Sequence, residues 1–476
     1  MAYQLVEHNL HEVEVGGRRL LFHIPTTSLF EIDDVGRDVL ALFREQPSVE
    51  ADDVRRRFDG RHPPGEVVET LEEFINLDII NDGRPLKAES TPFKIENFPL
   101  STIVLNVNTG CNLSCSYCYK EDLAAPSEGE KMDFETAVKS IELLLREGER
   151  RDRFNVVFFG GEPLSNMKLI RQVVDYAEGR AKEVGKRVDF TLTTNATLLT
   201  PELVDYFNAH RFGLTISMDG PKPLHDKNRL TVGGQGSYDV VARKARMALE
   251  RYTSRPIGAR VTLTAGVVDV VGIWDHLIND IGFQEVGFSP VTSGDISLYN
   301  LSEAEVAQVF QNMKTLGELY VEKAIEGVNI GFSNMHQMMT TLAEGMNKSL
   351  PCGAGVGMLA VDKDGDLNLC HRFTGSDLPT FGDVDKGIDK DRLGSFLGER
   401  ADRVDTGCAT CRIRNVCSGG CYHESYARYA DPIHPTYHYC DLMRDWVDFG
   451  IAAYGRIMQE NPAFLSNHVE PRRAWK

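Results

Sequence analysis

The chain has 476 residues, enough for two to four domains that each bury a core. Its 52 Lys and Arg against 70 Asp and Glu leave a formal net charge of −18, which disfavours nucleic acid and anionic lipid as partners. With 42% hydrophobic and 26% charged residues, the composition is that of an ordinary globular protein, and ten cysteines without a secretion signal point to metal or redox chemistry rather than to disulfides. The opening MAYQLVEHNLHEVEVGG is acidic where a signal peptide is basic and then apolar, and no run of about eighteen apolar residues follows. The expected location is the cytoplasm, with no membrane partner.

Residues 1–90 read as a small separate module. HEVEVGGRRLLFHI alternates as a hairpin around Gly-Gly, whereas FEIDDVGRDVLALFRE, EADDVRRRFDG and PGEVVETLEEFINLDII carry helical periodicity. The module holds 10 Lys and Arg against 19 Asp and Glu, which makes DNA a poor ligand for it. It either only packs or acts as a winged-helix-like recognition unit. NDGRPLKAESTP then reads as a linker.

Residues 91–335 switch to regular strand and helix alternation. Strands are expected at STIVLNVN, FNVVFFG, VDFTLTTN, FGLTISMD, GARVTLTAG and EVGFSPV, with helices such as DFETAVKSIELLLREG and KLIRQVVDYAEGRAKEVG between them. Thr200 before Pro201, and Ser302 with Glu305, encode helix starts. Six strands each followed by a helix imply a parallel α/β array, either doubly wound or a partial barrel, with chemistry in loops at the carboxyl ends of the strands. Residues 336–476 have weak periodicity and many glycines, and they carry seven of the ten cysteines. A segment expected to bury little apolar surface needs another organiser, and metal clusters would supply it.

Cys111, Cys115 and Cys118 follow the first strand of the array as C-x3-C-x2-C. Three thiolates on a four-iron cluster leave one iron open to a ligand from outside the protein. Zinc is the competing reading, but a structural zinc site wants four ligands and no histidine lies nearby in the sequence. The spacing, the position after the first strand and the aromatic Tyr117 together resemble the radical SAM superfamily. The resemblance implies a [4Fe–4S] cluster on these cysteines, with S-adenosylmethionine chelated to its open iron and cleaved to a 5′-deoxyadenosyl radical. It extends to GGEP, where Gly160, Gly161 and Glu162 resemble the segment that holds the methionyl amino group. TTNAT with Asn195, SMDGP with Ser217 and HDKNR with Arg229 resemble the ribose and carboxylate contacts, and Tyr117 joins these cofactor contacts.

The remaining cysteines are Cys352, Cys370, Cys408, Cys411, Cys417, Cys421 and Cys440. They resemble the SPASM extension, which holds auxiliary iron–sulfur clusters in peptide-modifying members of the superfamily; two zinc sites are the alternative. The resemblance implies one cluster on Cys408, Cys411, Cys417 and Cys440. A second falls to Cys352, Cys370 and Cys421, with its fourth position open or filled by a group other than cysteine. The total is three [4Fe–4S] clusters besides S-adenosylmethionine. Sulfatase-maturing relatives usually carry an aspartate base directly after the cysteine corresponding to Cys370. Here His371 stands there and is the candidate catalytic base, a structural role being the alternative.

The N-terminal module resembles the precursor-recognition domains of enzymes that modify ribosomally made peptides. Such modules capture an extended segment at a sheet edge. The implied architecture is α/β: a partial (β/α)6 radical SAM barrel between a winged-helix-like α+β domain (1–90) and a SPASM domain (336–476). As a whole it resembles the maturases of quinohemoprotein amine dehydrogenase small subunits. That family implies thioether cross-links between Cys sulfur and Asp or Glu methylene carbons in a precursor polypeptide, with flavodoxin or ferredoxin as external electron donor. Formylglycine synthesis of the sulfatase-maturase type and a catalytically silent peptide chaperone are the alternatives.

Overall fold

The computed structural model describes residues 1–83, 98–119, 128–291, 298–345, 348–402, 406–436 and 438–469. The expected linker NDGRPLKAESTP falls largely outside these residues, as does the expected boundary at residue 90.

The N-terminal residues form β1 (Ala2–Leu5), β2 (Leu10–Val15), β3 (Arg18–His23), β4 (Ser28–Glu31), α1 (Asp34–Glu45), β5 (Val49–Glu50), α2 (Ala51–Phe58), α3 (Pro64–Asn76) and β6 (Ile80–Asn81). β2, β3 and β4 make one antiparallel sheet and β5, β1 and β6 another. Two helices expected from periodicity are shorter than their apolar patterns. Phe30 and Glu31 pair with Leu21 and Leu20 in β4, and α1 starts only after Asp33, whose carboxylate caps Gly36 N–H at 2.7 Å. Ile80 pairs with Leu5 rather than continuing α3. Cross-strand pairing and the cap outweigh local periodicity there.

The central sheet follows as β7 (Thr102–Asn108), α4 (Phe134–Glu147), β8 (Arg153–Gly160), α5 (Met167–Glu183), β9 (Arg187–Thr194), α6 (Pro201–Ala209), β10 (Gly213–Ser217), α7 (Lys222–Asn228), α8 (Tyr238–Arg251), β11 (Gly258–Leu263), α9 (Val270–Asp275) and β12 (Glu285–Pro290). Strands β7 to β12 lie side by side in chain order and all run parallel, which makes a partial barrel. The helix starts read from the sequence are present: Thr200 accepts Leu203 N–H, and Ser302 and Glu305 form a reciprocal capping box.

Period-2 alternation divides each strand between two environments. Phe154, Val156 and Phe158 of β8, Leu214 and Ile216 of β10, and Val261 and Leu263 of β11 are buried in the main apolar core. Each such side chain contributes about 1.5–3 kcal/mol. The alternate residues Phe159, Thr193, Thr215, Ser217, Arg260 and Thr262 line the lumen instead. The barrel interior therefore carries hydroxyl groups and a guanidinium beside the Phe159 ring, and its carboxyl ends carry the loops that complete the site.

After α10 (Glu303–Ile325) and α11 (Ser333–Ala343) come β13 (Met358–Val361), β14 (Leu367–Asn368), α12 (Lys390–Ala401), α13 (Arg414–Cys417), α14 (Tyr422–Tyr429) and α15 (Cys440–Glu460). This region corrects the expectation that it buries little apolar surface. Leu359, Leu367, Leu393, Leu397, Val447 and Ile451 all join the main core. Their pattern is hard to see because they are spread over short strands, turns and one long helix. β13 pairs parallel to β7, with Val361 opposite Leu105, and β14 adds an antiparallel edge, so the sheet has eight strands among the described residues.

The N-terminal sheet is buried on both faces. Leu21 of β3 joins a small core with Val39, Val54 and Leu71, whereas Phe22 and Ile24 join the main core. β2 packs on α15, where His11 Nε2 lies 3.0 Å from Asp448. Among the described residues no helix is long and apolar enough to cross a membrane.

Candidate functional site

The cysteine loop after β7 is pinned by the end of α7 and the residues that follow it. Ser114 N–H donates to Leu230 O at 2.8 Å, Ser116 N–H to Asn228 O at 3.0 Å, and Ser116 Oγ to Asn228 Oδ1 at 2.7 Å. Asn228 in turn donates to Thr264 Oγ1 at 2.9 Å, which ties the loop to the end of β11. Burial pushes the Cys111 thiol up to about 12 and the Cys115 thiol to about 11. Thiols so placed keep their protons until a cation replaces them.

The facing wall is the Gly160-Gly161-Glu162 turn at the end of β8. Gly160 has φ of +147°, and a Cβ on Gly161 would lie 2.0 Å from Gly110 O, so only glycine lets this turn press against the residues just before Cys111. Gly161 N–H donates to Asn108 O at 2.6 Å and Glu162 N–H to Gly110 O at 2.9 Å. The Glu162 carboxylate is buried and accepts from Leu164 N–H, Thr194 Oγ1 and Asn195 N–H at 3.0, 2.7 and 2.8 Å. Burial raises its pKa, and the three hydrogen bonds oppose that rise.

Tyr117 joins the loop to the barrel floor. Its hydroxyl donates to Asp219 Oδ2 at 2.6 Å and accepts from Arg229 Nη1 at 2.7 Å, while Asp219 Oδ1 accepts Thr262 N–H at 2.9 Å. Arg229 Nε is buried with no hydrogen-bond partner among the described residues.

Cys111, Cys115, Cys118, Tyr117, Gly160, Gly161, Glu162, Asn195, Ser217, Arg229 and His371 all line one cavity of about 480 Å³. The sequence reading named each of them, and the fold brings them together from six loops and strands. It overlooked Asp219, hidden in an ordinary Asp-Gly turn dipeptide. It also overlooked Tyr119, Arg372 and Arg260; a lone charge in the otherwise apolar GARVTLTAG was the available signal for the last.

The other cysteines form two further sets. Cys408, Cys411, Cys417 and Cys440 line a second cavity of about 260 Å³. Cys370 lies within electrostatic reach of Cys421 and Cys352, and burial pushes its thiol up to about 12. It leads directly into His371, whose ring lies tilted against Phe159 with centroids 4.2 Å apart. Tyr119 bridges the loop and this region, with its ring 5.5 Å from His423 and under the Arg372 guanidinium at 5.2 Å.

Cys111, Cys115 and Cys118 line one cavity together, and three thiols suit a four-iron cluster that leaves one iron to a ligand from outside the protein. The orphaned Arg229 Nε, in the wall of a cavity that also holds the buried Glu162, suits a ligand bearing both carboxylate and ammonium groups.

Comparison with known proteins agrees. Residues 105–269 match the Radical SAM superfamily. The chain is 22% identical over 379 residues to the cysteine-type anaerobic sulfatase-maturating enzyme of Clostridium perfringens (strain 13 / Type A), covering 74% of this chain and 96% of that one. Its fold is similar to the solved structure of native anSMEcpe with bound AdoMet and Cp18Cys peptide, with TM-score 0.63, 20% identity, and 77% and 99% of the two chains covered. It is also similar to Streptococcus suis SuiB bound to precursor peptide SuiA, with TM-score 0.51, 15% identity, and 91% and 98% covered.

Proposed function

We propose that this chain, a radical SAM enzyme that uses S-adenosylmethionine and a [4Fe–4S] cluster, forms thioether cross-links within a precursor polypeptide. The linked atoms are a Cys sulfur and an Asp or Glu side-chain methylene carbon, as in maturation of a quinohemoprotein amine dehydrogenase small subunit. Cys111, Cys115 and Cys118 hold the cluster, while Glu162, Asn195, Ser217 and Arg229, with Tyr117, Gly160 and Gly161, hold S-adenosylmethionine. Two further [4Fe–4S] clusters belong to Cys408, Cys411, Cys417 and Cys440 and to Cys352, Cys370 and Cys421. Residues 1–90 recognise the precursor, 91–335 form the catalytic barrel, and 336–476 carry the auxiliary clusters. The peptides bound in the anSMEcpe and SuiB structures support a peptide substrate.

The observation that carries the reading is the adjacency of Cys370 to the cavity. The ten cysteines leave its set of three without a fourth, and the next residue, His371, lines the lumen. When bound, the open iron and the sulfonium supply one-electron chemistry that removes a hydrogen atom from carbon. The chain's own residues do the rest. The threonines of the lumen orient the peptide, and the protein around the cavity limits water. His371, held against Phe159, takes the thiol proton. Each new bond costs the peptide two hydrogens: one would leave as an atom to the bound cofactor and the other as the thiol proton taken by His371. The cysteines Cys352, Cys370 and Cys421 with Cys408, Cys411, Cys417 and Cys440 would hold clusters able to pass the remaining electron to an acceptor. A flavodoxin or ferredoxin supplies the starting electron.

The relatives named as sulfatase-maturating enzymes favour a second reading, oxidation of a cysteine to formylglycine. Co-expression with precursor peptides separates the two. A thioether removes two hydrogens per bond and leaves the linked cysteine unreactive to iodoacetamide after reduction. Formylglycine loses sulfur and is captured by hydrazide reagents, and a hydrazide-reactive, uncrosslinked product overturns the thioether reading.

A further inference from the structure

Arg260 sits at the middle of β11, in register with Ser217 of β10 on one side and Gly287 of β12 on the other. Its backbone neighbours Ala259 and Val261 point into the apolar core, so period-2 alternation turns Arg260 into the lumen, where it lines the main cavity. Gly287 lies beside it: a Cβ there would stand 3.5 Å from Arg260 Nη1, in ordinary contact. No carboxylate is among the influences on the Arg260 guanidinium from the described residues. The Arg260 side chain is exposed to the lumen, and the like-charged Arg372 lies within its electrostatic reach. Arg372 differs because the thiol of Cys370 lies within its electrostatic reach.

Two guanidinium groups on the wall of one cavity repel each other, and an anion bound between them relieves that repulsion. The three-thiol loop is an insufficient answer. Its charges bear on Arg229, which already has Tyr117 and Asp219, and they are absent from the influences on Arg260. Planar guanidinium geometry selects carboxylate and binds it through two parallel N–H groups.

We infer that Arg260, with Arg372 beside it, forms a subsite for the substrate's own carboxylate, the Asp or Glu whose methylene carbon is linked. This rests on the thioether reading and adds a specificity determinant to it: Arg260 anchors the acid group, and the methylene next to it is thereby presented to the lumen. Ser289 and Thr262 complete this wall of the cavity.

The test uses anaerobically reconstituted full-length protein loaded with S-adenosylmethionine. The probes are a short synthetic peptide carrying one Cys and one Glu in a Gly, Ser and Ala background, and its twin with Gln for Glu. Dissociation constants by calorimetry are expected to favour the Glu peptide about tenfold, roughly 1.4 kcal/mol. R260Q is expected to abolish the preference, and R260K to keep part of it, since lysine retains charge but loses the two-point geometry. Equal affinity of wild-type protein for both peptides overturns the subsite. So does an R260Q protein that weakens both peptides by the same factor, or one whose loss falls on S-adenosylmethionine instead. If R260Q does not fold, an undiminished preference in R260K has the same force. Product chemistry is read separately by mass spectrometry, so a hydrazide-reactive product would remove the thioether reading while leaving the Glu-over-Gln preference to decide the subsite.

Discussion

Replacing Glu162 by Gln tests how the cofactor wall is held. The carboxylate takes Leu164 N–H and the Thr194 hydroxyl on Oε1, and Asn195 N–H on Oε2. Glutamine keeps the shape but must turn an NH2 toward one of these groups. With its nitrogen at the Oε2 position it faces Asn195 N–H. At the Oε1 position it faces Leu164 N–H, and only the Thr194 hydroxyl can reverse. Either way one backbone donor is orphaned where Glu162 is 1% exposed. A hydrogen bond to a charged acceptor contributes about 1.5–3 kcal/mol. Local opening therefore becomes about 10–100 times easier. Anaerobic hydrogen exchange with mass spectrometry, on fragments spanning 160–166 and 192–197, is expected to show that acceleration at one of the two amides. The pH dependence has a definite sign. Burial raises the folded pKa above the unfolded one, so the group's favourable contribution is complete below the unfolded carboxylate pKa and is lost as pH rises through the folded value. After correction for intrinsic exchange, protection in the wild type falls over that window, and E162Q removes the slope. Unchanged exchange at both amides would refute the hydrogen-bond reasoning.

Anaerobic reconstitution is expected to give about twelve irons per chain, and joint substitution of Cys111, Cys115 and Cys118 by Ala to remove about a third of them and abolish S-adenosylmethionine cleavage; surviving cleavage contradicts the cluster assignment. Arg229→Lys is expected to raise the dissociation constant for S-adenosylmethionine about tenfold or more, because Nε is the orphaned donor in the cavity wall and lysine has no such atom; unchanged affinity removes Arg229 from the binding site. Burial alone would raise Asp448, but hydrogen bonds from His11 and Arg412 outweigh it and lower its pKa. Its contribution is thus present above the unfolded carboxylate pKa and lost as pH falls through the folded one. Asp448→Asn is expected to speed limited proteolysis between residues 10 and 31 at neutral pH, and equal cleavage in wild type and variant contradicts this.

The sequence made much of the barrel legible because its signals are local. Six apolar runs at regular spacing, Thr200 before Pro201 and the Ser302–Glu305 box each encode their own element. The resemblance likewise assigns the ten cysteines to three sets; Cys111, Cys115 and Cys118 line one cavity, and Cys408, Cys411, Cys417 and Cys440 another. What stayed hidden depends on partners far along the chain. Nothing near Met358–Val361 announces that it will pair with β7, more than 250 residues earlier. The LLFHI run reads as one hairpin strand, and only the fold reveals that Leu21 and Phe22 serve different cores. That double burial also bears on function. Removing residues 1–90 would strip Phe22 and Ile24 from the main core, so the proposed role of that module is better probed by substitution at Asp448, which holds His11, than by deletion. Asp219 and Arg260 escaped notice for the same reason: their roles come from Tyr117, Arg229 and Arg372, which loops elsewhere in the chain bring to them.

The central claim is that hydrogen leaves the methylene carbon of an acidic side chain in the peptide. Precursor peptides prepared with deuterium on the Asp and Glu side-chain methylenes, or separately on the Cys methylene, decide this when turned over anaerobically with unlabelled S-adenosylmethionine. The account predicts one deuterium in the 5′-deoxyadenosine from the Asp- and Glu-labelled peptide, and a peptide lighter by that deuterium and one thiol hydrogen. Deuterium arriving from the cysteine methylene alone would contradict it and assign the chain to formylglycine formation.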